Sequence, residues 1–400
     1  RWGRRHPPMI GAVIPLALCF IALFSPPGAA MASQSGLFFW LLGSVILLRT
    51  ALTFFVVPLY ALGAEISTDY HERTRLVSAR TNIAWISGVL ASACAMYFLF
   101  GGNTGEDGRF VVANYQSYGW VNAGLVLLFS MACILGTWHY IPKLAAATST
   151  HTRGMLRDIL GTFRNRNFRL VFLLETTLGG LNGVVAALLM VTFTYFWVLD
   201  TTQISLLFGG PPLVAVAIVV ASSRWTNQRL EKHQLLAWSC GIGALNMLWL
   251  TPLQLLGVLP GDGGVAFTLV FLNYAIWVGM SIQRTIAAHA LLADIADEYE
   301  LETGQRQEGV MFAAAFFANK FITGFGYLVA GPFLDLIGLE AGTPPGEAPY
   351  SVILGLGLIM GPGLAVLLAL PLLLAFRLKL SRERLAEVQQ ALGERSGKAS

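Results

Sequence analysis

The sequence predicts an all-α polytopic membrane protein, and three observations lead to this fold class. Hydrophobic residues make up 55% of the 400-residue chain and charged residues only 12%, whereas soluble domains carry roughly 25% charged residues. The mean hydropathy is +0.64. The apolar residues are gathered in long stretches, and one sequence pattern occurs twice. Together these features exclude an ordinary soluble domain.

Ten apolar segments are long enough to cross a bilayer. A hydrocarbon core of about 30 Å needs about 20 mostly apolar residues per helix. By that criterion the predicted membrane helices are residues 9–25, 36–62, 76–100, 118–141, 168–199, 204–222, 235–258, 264–293, 309–337 and 350–376.

A sequence repeat relates the two halves of the chain. The motif ALGAEI at residues 61–66 corresponds to ALLADI at residues 290–295, and a charged stretch follows each copy. The first copy joins the second and third apolar segments, and the second copy joins the eighth and ninth. This offset of six segments predicts a parent protein of twelve helices, of which this chain holds helices III to XII. Repeated helix bundles of this kind are typical of membrane transporters.

The positions of the basic residues predict the orientation of the chain. All of the 26 lysine and arginine residues except Arg49, Arg109, Arg284 and Lys320 fall on one side of the membrane. By the positive-inside rule this side is the cytoplasm. The central loop and the C-terminus are therefore predicted to be cytoplasmic, in a protein of the bacterial inner, or plasma, membrane. Topology then explains the formal net charge of +4, and we expect membrane lipids but no nucleic acid as partners.

The same analysis gives the expected domains. We expect an incomplete N-terminal bundle at residues 1–141 (helices III to VI), a cytoplasmic linker at residues 142–167, a six-helix C-terminal bundle at residues 168–376 (helices VII to XII), and a cytoplasmic tail at residues 377–400. We interpret the tail as solvated, and an amphipathic helix on the membrane surface is the alternative.

Four charged residues lie more than five residues from either end of a predicted membrane helix: the cations Arg49, Arg284 and Lys320 and the acid Glu175. Lys320 lies about 16 Å past the start of its helix, near the bilayer centre. Because a charge there costs about 2.5 to 3.5 kcal/mol, it is expected to face a wet cavity and to have a partner. We therefore predict a central site at these residues. An ion pair that only locks two helices together, for instance between Glu175 and one of the cations, is the alternative. We interpret His289 as a hydrogen-bonded bundle residue rather than a proton relay.

The two copies of the repeat also predict a cytoplasmic gate. Glu65 and Asp294 occupy matched positions at the predicted C-terminal ends of their helices, where the helix dipole disfavours an acid. Each therefore needs a cationic partner. The predicted gate consists of Glu65, Asp69, Glu72, Arg73, Arg75, Asp294, Asp297, Arg306 and Glu308. The alternative is a set of solvated surface charges, each pair contributing 0 to about 1 kcal/mol.

Other functional classes find little support in the sequence. The four cysteines Cys19, Cys94, Cys133 and Cys240 all lie in apolar segments without a metal-ligand spacing. Neither GxSxG nor HExxH is present. We therefore expect no enzyme activity, no metal and no cofactor besides a coupling ion.

Two stretches carry a resemblance to a known family. VPLYALGAEISTDYHERTRLVSAR at residues 57–80 and ADIADEYELETGQRQEGVMFAAAFFANK at residues 293–320 resemble the two signature loops of the glycoside-pentoside-hexuronide:cation symporters, a family of the major facilitator superfamily. RWGRRHPP at residues 1–8 looks like the end of that family's loop between helices II and III, which agrees with two helices upstream. The resemblance implies a two-bundle fold of the major facilitator type.

The resemblance also implies roles for single residues. It places Lys320 at the coupling-cation site, Arg80 at the position of a sugar-contacting arginine and Tyr60 at the position of a sugar-site aromatic residue. Two positions depart from melibiose permease, a member of the family, because Val56 stands where it has an aspartate and Thr285 where it has a tryptophan. Coupling to H⁺ and coupling to Na⁺ therefore both stay open.

These arguments lead to one expectation with alternatives. We expect a monomeric secondary active transporter that symports a sugar, glycoside or hexuronide-like solute with H⁺ or Na⁺ by alternating access. A transporter of lysolipid or another anionic metabolite, or an exporter of the same fold, is one alternative. A non-transporting receptor or a truncated inactive fragment is the other. The predicted solute-binding residues are Arg49, Tyr60, Arg80, Glu175, Arg284 and Thr285.

Overall fold

The protein is all-helical over the part of the chain that the structure describes. A computed structural model describes residues 5–66, 83–84, 86–101, 108–143, 161–259, 263–304, 307–340, 342–378, 380 and 382–397. These residues form helices and turns and no β-strand. The chain divides into two compact units, Arg1–Thr150 and His151–Ser400.

The N-terminal unit contains four apolar helices. They are α1 (His6–Phe24), α2 (Gln34–Ile66), α3 (Ile86–Leu99) and α4 (Val112–Thr137). Helix α1 packs against both α2 and α4. Its buried residues include Met9 and Val13, which contact Phe55 of α2 and Ile134 of α4. A hydrogen bond of 3.1 Å between Nε2 of His6 and Oγ1 of Thr137 joins the same helices.

The C-terminal unit contains six further apolar helices and a terminal polar helix. They are α5 (Arg166–Val191), α6 (Thr201–Arg229), α7 (Lys232–Met247), α8 (Gly263–Thr303), α9 (Glu308–Ile337), α10 (Tyr350–Arg377) and α11 (Arg382–Gly397).

Polar residues mark where several of these helices begin. Asp200 precedes α6, and its side chain accepts a hydrogen bond of 2.8 Å from the backbone N–H of Gln203. The Gln203 side chain accepts one from the backbone N–H of Asp200 in return, which completes a capping box. Asn165 caps α5 in a similar way by accepting from the N–H of Phe168. Local sequence therefore defines these helix starts independently of membrane packing.

The core of the C-terminal unit lies where five helices meet. Helix α5 packs against α9 and α10, and α7 packs against α8 and α10. Fully buried residues at these contacts include Leu174 of α5, Leu236 of α7, Leu291 of α8 and Leu368 of α10. The remaining helix, α6, packs mainly on α8. This arrangement holds α5, α8 and α9 together and brings their polar residues into contact.

The ten helices α1 to α10 correspond to the ten predicted segments, which confirms the all-α membrane fold. Within the described ranges, nine helices are long and apolar enough to span a membrane, and α3 is a shorter apolar helix. The first part of the third predicted segment, residues 76–82, lies outside the described residues.

Helix α8 differs from the prediction, because it continues through the charged stretch that was expected to be a loop. It runs to Thr303, ten residues beyond the predicted end. Gly304, with φ of +71°, follows the helix, and glycine in this conformation commonly ends helices. Asp294 therefore lies within a helix and not at its C-terminal end. The helix-dipole argument for its cationic partner was wrong, although a partner exists.

The C-terminal tail also differs from the expectation of a solvated segment. Residues 382–397 form the helix α11, which packs against α8. The contact buries Val388 completely, and Leu378 and Leu380 are also buried just before α11. Apolar side chains inside a mostly polar helix explain why this segment is docked.

Candidate functional site

Several polar residues of the C-terminal unit lie at the interface between α5 and α9. At this interface Gly183 of α5 lies against Gly326 and Thr323 of α9. A Cβ atom on Gly326 would lie only 2.7 Å from the Cα atom of Gly183. Small residues at such positions allow two membrane helices to approach at backbone distance. The polar side chains one and two turns away are therefore held at short range.

Glu175 lies at this interface and is 3% exposed. Its carboxylate oxygen Oε2 accepts a hydrogen bond of 3.0 Å from Nδ2 of Asn319, and the same amide nitrogen lies 3.1 Å from the backbone carbonyl of Glu175. One turn further along, the hydroxyl of Thr323 donates to the carbonyl of Gly179 over 3.0 Å. These contacts fix the carboxylate between the two helices.

The ion pair of Glu175 with a membrane cation, which was the alternative to a central site, is absent among the described residues. In its place, Nε2 of His289 on α8 lies 3.9 Å from Oε1 of Glu175. The His289 side chain is 40% exposed, and its ring packs edge-on against Phe316 at 4.9 Å between centroids. His289 therefore connects the surface of the C-terminal unit with the buried carboxylate. The sequence identified both residues separately but not their contact.

Lys320 follows Asn319 directly on α9, and its side chain is exposed. Successive residues of a helix point about 100° apart, so Asn319 faces α5 while Lys320 faces away from it. No ion pair of Lys320 occurs over the described part of the chain. The charge of Lys320 therefore takes no part in the packing of the unit. The helical turn that carries Lys320 is nevertheless held in place, because Asn319 is hydrogen-bonded to Glu175.

Arg284 and Thr285 are adjacent on α8 but have different surroundings. Arg284 is 2% exposed; its guanidinium lies 4.9 Å over the ring of Trp277 and donates a hydrogen bond of 3.3 Å to the carbonyl of Ser239. Its Nη2 atom has no hydrogen-bond partner within the described residues. Thr285 is exposed and donates to the carbonyl of Ser281. A solute at the surface of this unit can reach Thr285, whereas Arg284 requires a rearrangement.

The predicted solute residues of the N-terminal unit are only partly described. Arg49 lies on α2 with its side chain exposed, and its carbonyl accepts a hydrogen bond from Thr53. Tyr60 also lies on α2, but its side chain is outside the description, and Arg80 is outside the described residues.

The predicted gate contains one well-defined ion pair, and its cation was not foreseen. Nζ of Lys232, the first residue of α7, lies 2.6 and 2.7 Å from the two carboxylate oxygens of Asp294. Asp294 is buried, and Asp297 is partly buried one turn further along α8. From the sequence, Lys232 was expected only on the basic side of the membrane. Because the pair joins α7 and α8 of the same unit, it stabilises that unit from within.

The other gate residues lie beyond what the structure describes. Glu65 is in α2 and Glu308 begins α9, but their side chains are not described. Outside the described residues are Asp69, Glu72, Arg73, Arg75 and Arg306. The gate as a whole therefore stays a prediction.

A small cavity inside the C-terminal unit does not have the size of a solute site. It has a volume of about 50 Å³ and is lined by side chains that include Thr192, Thr251, Asn273 and Trp277. Ligand pockets generally occupy about 300 to 1,000 Å³, whereas a single water needs a few tens of Å³ at most. The cavity has room for water alone.

Within the described ranges, the long apolar helices define a polytopic membrane protein that retains ionisable side chains inside its helices. The chain belongs to the MFS/sugar transport protein family, whose model matches residues 1–382. It is similar to an uncharacterized symporter of Synechocystis sp., with 24% identity over 476 aligned positions that cover 99% of this chain and 85% of that protein. It is also similar to the inner membrane symporter YicJ of Escherichia coli, with 25% identity over 377 positions that cover 92% of this chain and 75% of the relative.

These similarities confirm the resemblance to symporters of the major facilitator superfamily and the fold that it implied. The chain is an integral protein of a bacterial inner membrane.

Proposed function

We propose that this protein is a secondary active transporter that carries a sugar, glycoside or hexuronide-like solute together with H⁺ or Na⁺ by alternating access. The observation that supports this most is the match to a sugar transport family over residues 1–382, with two relatives named as symporters.

The proposal assigns Lys320 to the coupling-cation site. Its side chain is exposed and takes part in no ion pair of the described chain, while its helical turn is held by the contact between Asn319 and Glu175. The positive charge of Lys320 repels a cation that binds nearby, or the cation displaces the Lys320 side chain. Binding of the ion therefore changes the environment of the α9 turn that carries Lys320. The proposed solute contacts are Arg49, Tyr60, Arg80, Glu175, Arg284 and Thr285.

An anionic solute is the second candidate, and the exposed charge of Arg49 favours it. No ion pair of Arg49 occurs within the described residues, although an intramembrane cation is expensive without a partner. A carboxylate or phosphate group of a hexuronide, a lysolipid or another metabolite would supply that partner. Arg284 would join it only in a state where α7 and α8 have moved.

Alternating access requires two bodies that move relative to each other. We assign this role to the bundles at residues 1–141 and 168–376, joined by the linker at residues 142–167, with the tail at 377–400 on the same cytoplasmic side. The predicted gate closes that side in one state. Asp294 contributes to it indirectly, because its carboxylate is already occupied by Lys232. The functional unit is a monomer.

The test is uptake by the full-length protein in proteoliposomes. The probes are radiolabelled methyl-β-D-galactoside as a neutral glycoside and D-glucuronate as a hexuronide, each with no gradient, a Na⁺ gradient or a pH gradient. We expect one gradient to drive accumulation of at least one probe. Lys320→Ala should abolish that accumulation without changing the unfolding midpoint, since the side chain is exposed.

Phe321→Ala is the matched control, because Phe321 is the next residue and is also exposed. Accumulation of D-glucuronate but not of the galactoside would select the anionic candidate. If uptake of every probe ignores both gradients, or if Lys320→Ala behaves as wild type, the symport proposal fails. Export from loaded vesicles would indicate the opposite direction of transport.

A further inference from the structure

Glu175 is a carboxyl group in the middle of a membrane helix, and no lysine or arginine of the described chain neutralises it. It is the tenth residue of α5, about 14 Å from the start of that helix and thus near the centre of a core of about 30 Å. Ionisable groups at such depth are costly and are generally retained for function. A purely structural hydrogen bond to Asn319 would need only an amide at this position.

The groups that surround Glu175 are few, and they come from three helices. Helix α9 contributes Asn319, which donates to the carboxylate, and Lys320, which is exposed. Helix α8 contributes His289 at 3.9 Å. Helix α10 has a single charged residue, Arg377, at its far end. Over the described residues, the partly exposed His289 is therefore the one basic side chain within 4 Å of the carboxylate.

We propose that Glu175 and His289 form a proton-binding site within the C-terminal unit, in which Glu175 takes up the coupled proton and His289 relays it from the exposed side. This inference rests on the proposed function and selects H⁺ as the coupling ion. It places the proton in the C-terminal unit and makes Lys320 a residue that responds to it.

The transfer step is a balanced exchange of one proton. The protonated imidazole of His289 gives the proton on Nε2 to Oε1 of Glu175, which leaves a neutral imidazole and a neutral carboxylic acid. The distance of 3.9 Å exceeds the 2.7 to 3.2 Å of a hydrogen bond. A side-chain movement of about 1 Å brings Nε2 and Oε1 within hydrogen-bonding distance, and one bridging water would also connect them. His289 then takes a new proton from water at its exposed edge.

Protonation of Glu175 has a direct effect on α9. The hydrogen bond from Asn319 is charge-assisted while the carboxylate is ionised, and such bonds are roughly twice as strong as neutral ones. Neutralising the acid weakens the link between α5 and the turn that carries Lys320. Because Gly183 and Gly326 hold the two backbones in contact, the weaker hydrogen bond lies at a tightly packed helix interface.

The first experiment follows the proton itself and needs no solute. Infrared spectra of the full-length protein in bilayers are recorded over a pH series, and the carbonyl stretch of protonated carboxyl groups is compared between wild type and Glu175→Gln. Glutamine keeps the size of the side chain and an oxygen that accepts from Asn319. We expect a band that loses intensity as the pH rises, that Glu175→Gln lacks, and that His289→Gln shifts along the pH axis.

The matched control is His233→Gln. His233 lies 3.2 Å from Glu231 near the start of α7, so it is a histidine beside a glutamate in the same unit but away from the α5–α9 interface. His233→Gln should leave the Glu175 band unchanged. Wild-type spectra without any carboxyl band that Glu175→Gln removes would overturn the proposal.

The second experiment separates this inference from the proposed function. With the uptake assay above, Glu175→Gln should lower the pH-gradient-driven rate by about 100-fold, the lower end of what a positioned proton-transfer group contributes. Exchange of labelled for unlabelled solute, which needs no net proton movement, should persist in His289→Gln, because His289 is not among the proposed solute contacts. If a gradient drives wild-type uptake and Glu175→Gln retains it, the proton site is refuted and symport stands. If no gradient drives wild-type uptake, symport fails, and the infrared titration still decides whether Glu175 binds a proton.

Discussion

Substitution of Gly326 by alanine tests the role of the α5–α9 contact. The added methyl group would lie 2.7 Å from both the Cα and the carbonyl carbon of Gly183. Non-bonded carbon atoms prefer separations of about 3.5 to 4.0 Å. The two helices must therefore separate by roughly 1 Å near this point.

The cost follows from what that separation breaks. Two hydrogen bonds of 3.0 Å cross the interface, one from Asn319 to Glu175 and one from Thr323 to Gly179. At about 4 Å neither counts as a hydrogen bond, and such interhelical bonds contribute about 0.6 kcal/mol each on average. A gap of this size also forfeits a quarter to a half of the local dispersion energy. We expect a loss of about 2 kcal/mol, within the range of about 1 to 3 kcal/mol for overpacked cores.

Gly324→Ala is the matched control, because Gly324 lies on the same helix and a Cβ there meets no atom within 4 Å. Both substitutions gain the same helix propensity, about 1 kcal/mol, so their difference reports the contact alone. The measurement is unfolding of the purified protein from mixed micelles, followed by far-ultraviolet circular dichroism. Equal stability of the two variants, within about 0.5 kcal/mol, is the surface-substitution result and would refute the close contact.

Two further substitutions test the buried charges. Lys232→Ala leaves the carboxylate of Asp294 buried without its cation; because Lys232 is 42% exposed, we expect a loss of about 2 kcal/mol rather than the 3 to 5 of a fully buried pair. Arg229→Ala, at an exposed cation over a tryptophan ring, should cost about 0.5 kcal/mol, and a similar effect of both variants on the unfolding free energy would contradict the ion pair. Arg284→Met replaces a guanidinium that has one hydrogen bond and the Trp277 ring as partners, so stability should be unchanged or about 1 kcal/mol higher. A loss of about 2 kcal/mol in the same assay would show that Arg284 has a stabilising partner.

The sequence predicted the membrane helices well because an apolar run of sufficient length has few other uses. It predicted the end of α8 poorly, because hydropathy reports where a helix leaves the apolar core and not where it stops. The sequence signal for the true end was Gly304, eleven residues beyond the apolar segment that ends at Ala293. Residues 281–303 contain neither glycine nor proline, so nothing interrupts the helix between the two points.

The candidate site could be predicted only in part. Glu175 was identified because an acid in an apolar helix is unusual, but its partner Asn319 lies 144 residues away and depends on how α5 and α9 pack. Asn319 was not predicted, because a neutral amide in an apolar helix is a weaker signal than the charged Lys320 beside it. Lys232 was missed because the positive-inside rule had already accounted for its charge, and only packing distinguishes a paired lysine from a solvated one.

Because α8 is long, a small tilt of this helix moves its far end by several ångströms. Its 41 residues span about 61 Å, twice the hydrocarbon core of roughly 30 Å. The part of α8 from His289 to Thr303 is an uninterrupted helix about 21 Å long. A tilt of about 10° at the level of His289 would displace the far end by roughly 4 Å, enough to separate a pair of side chains in hydrogen-bonding contact. A movement at His289 is therefore carried along a helix against which α11 also packs.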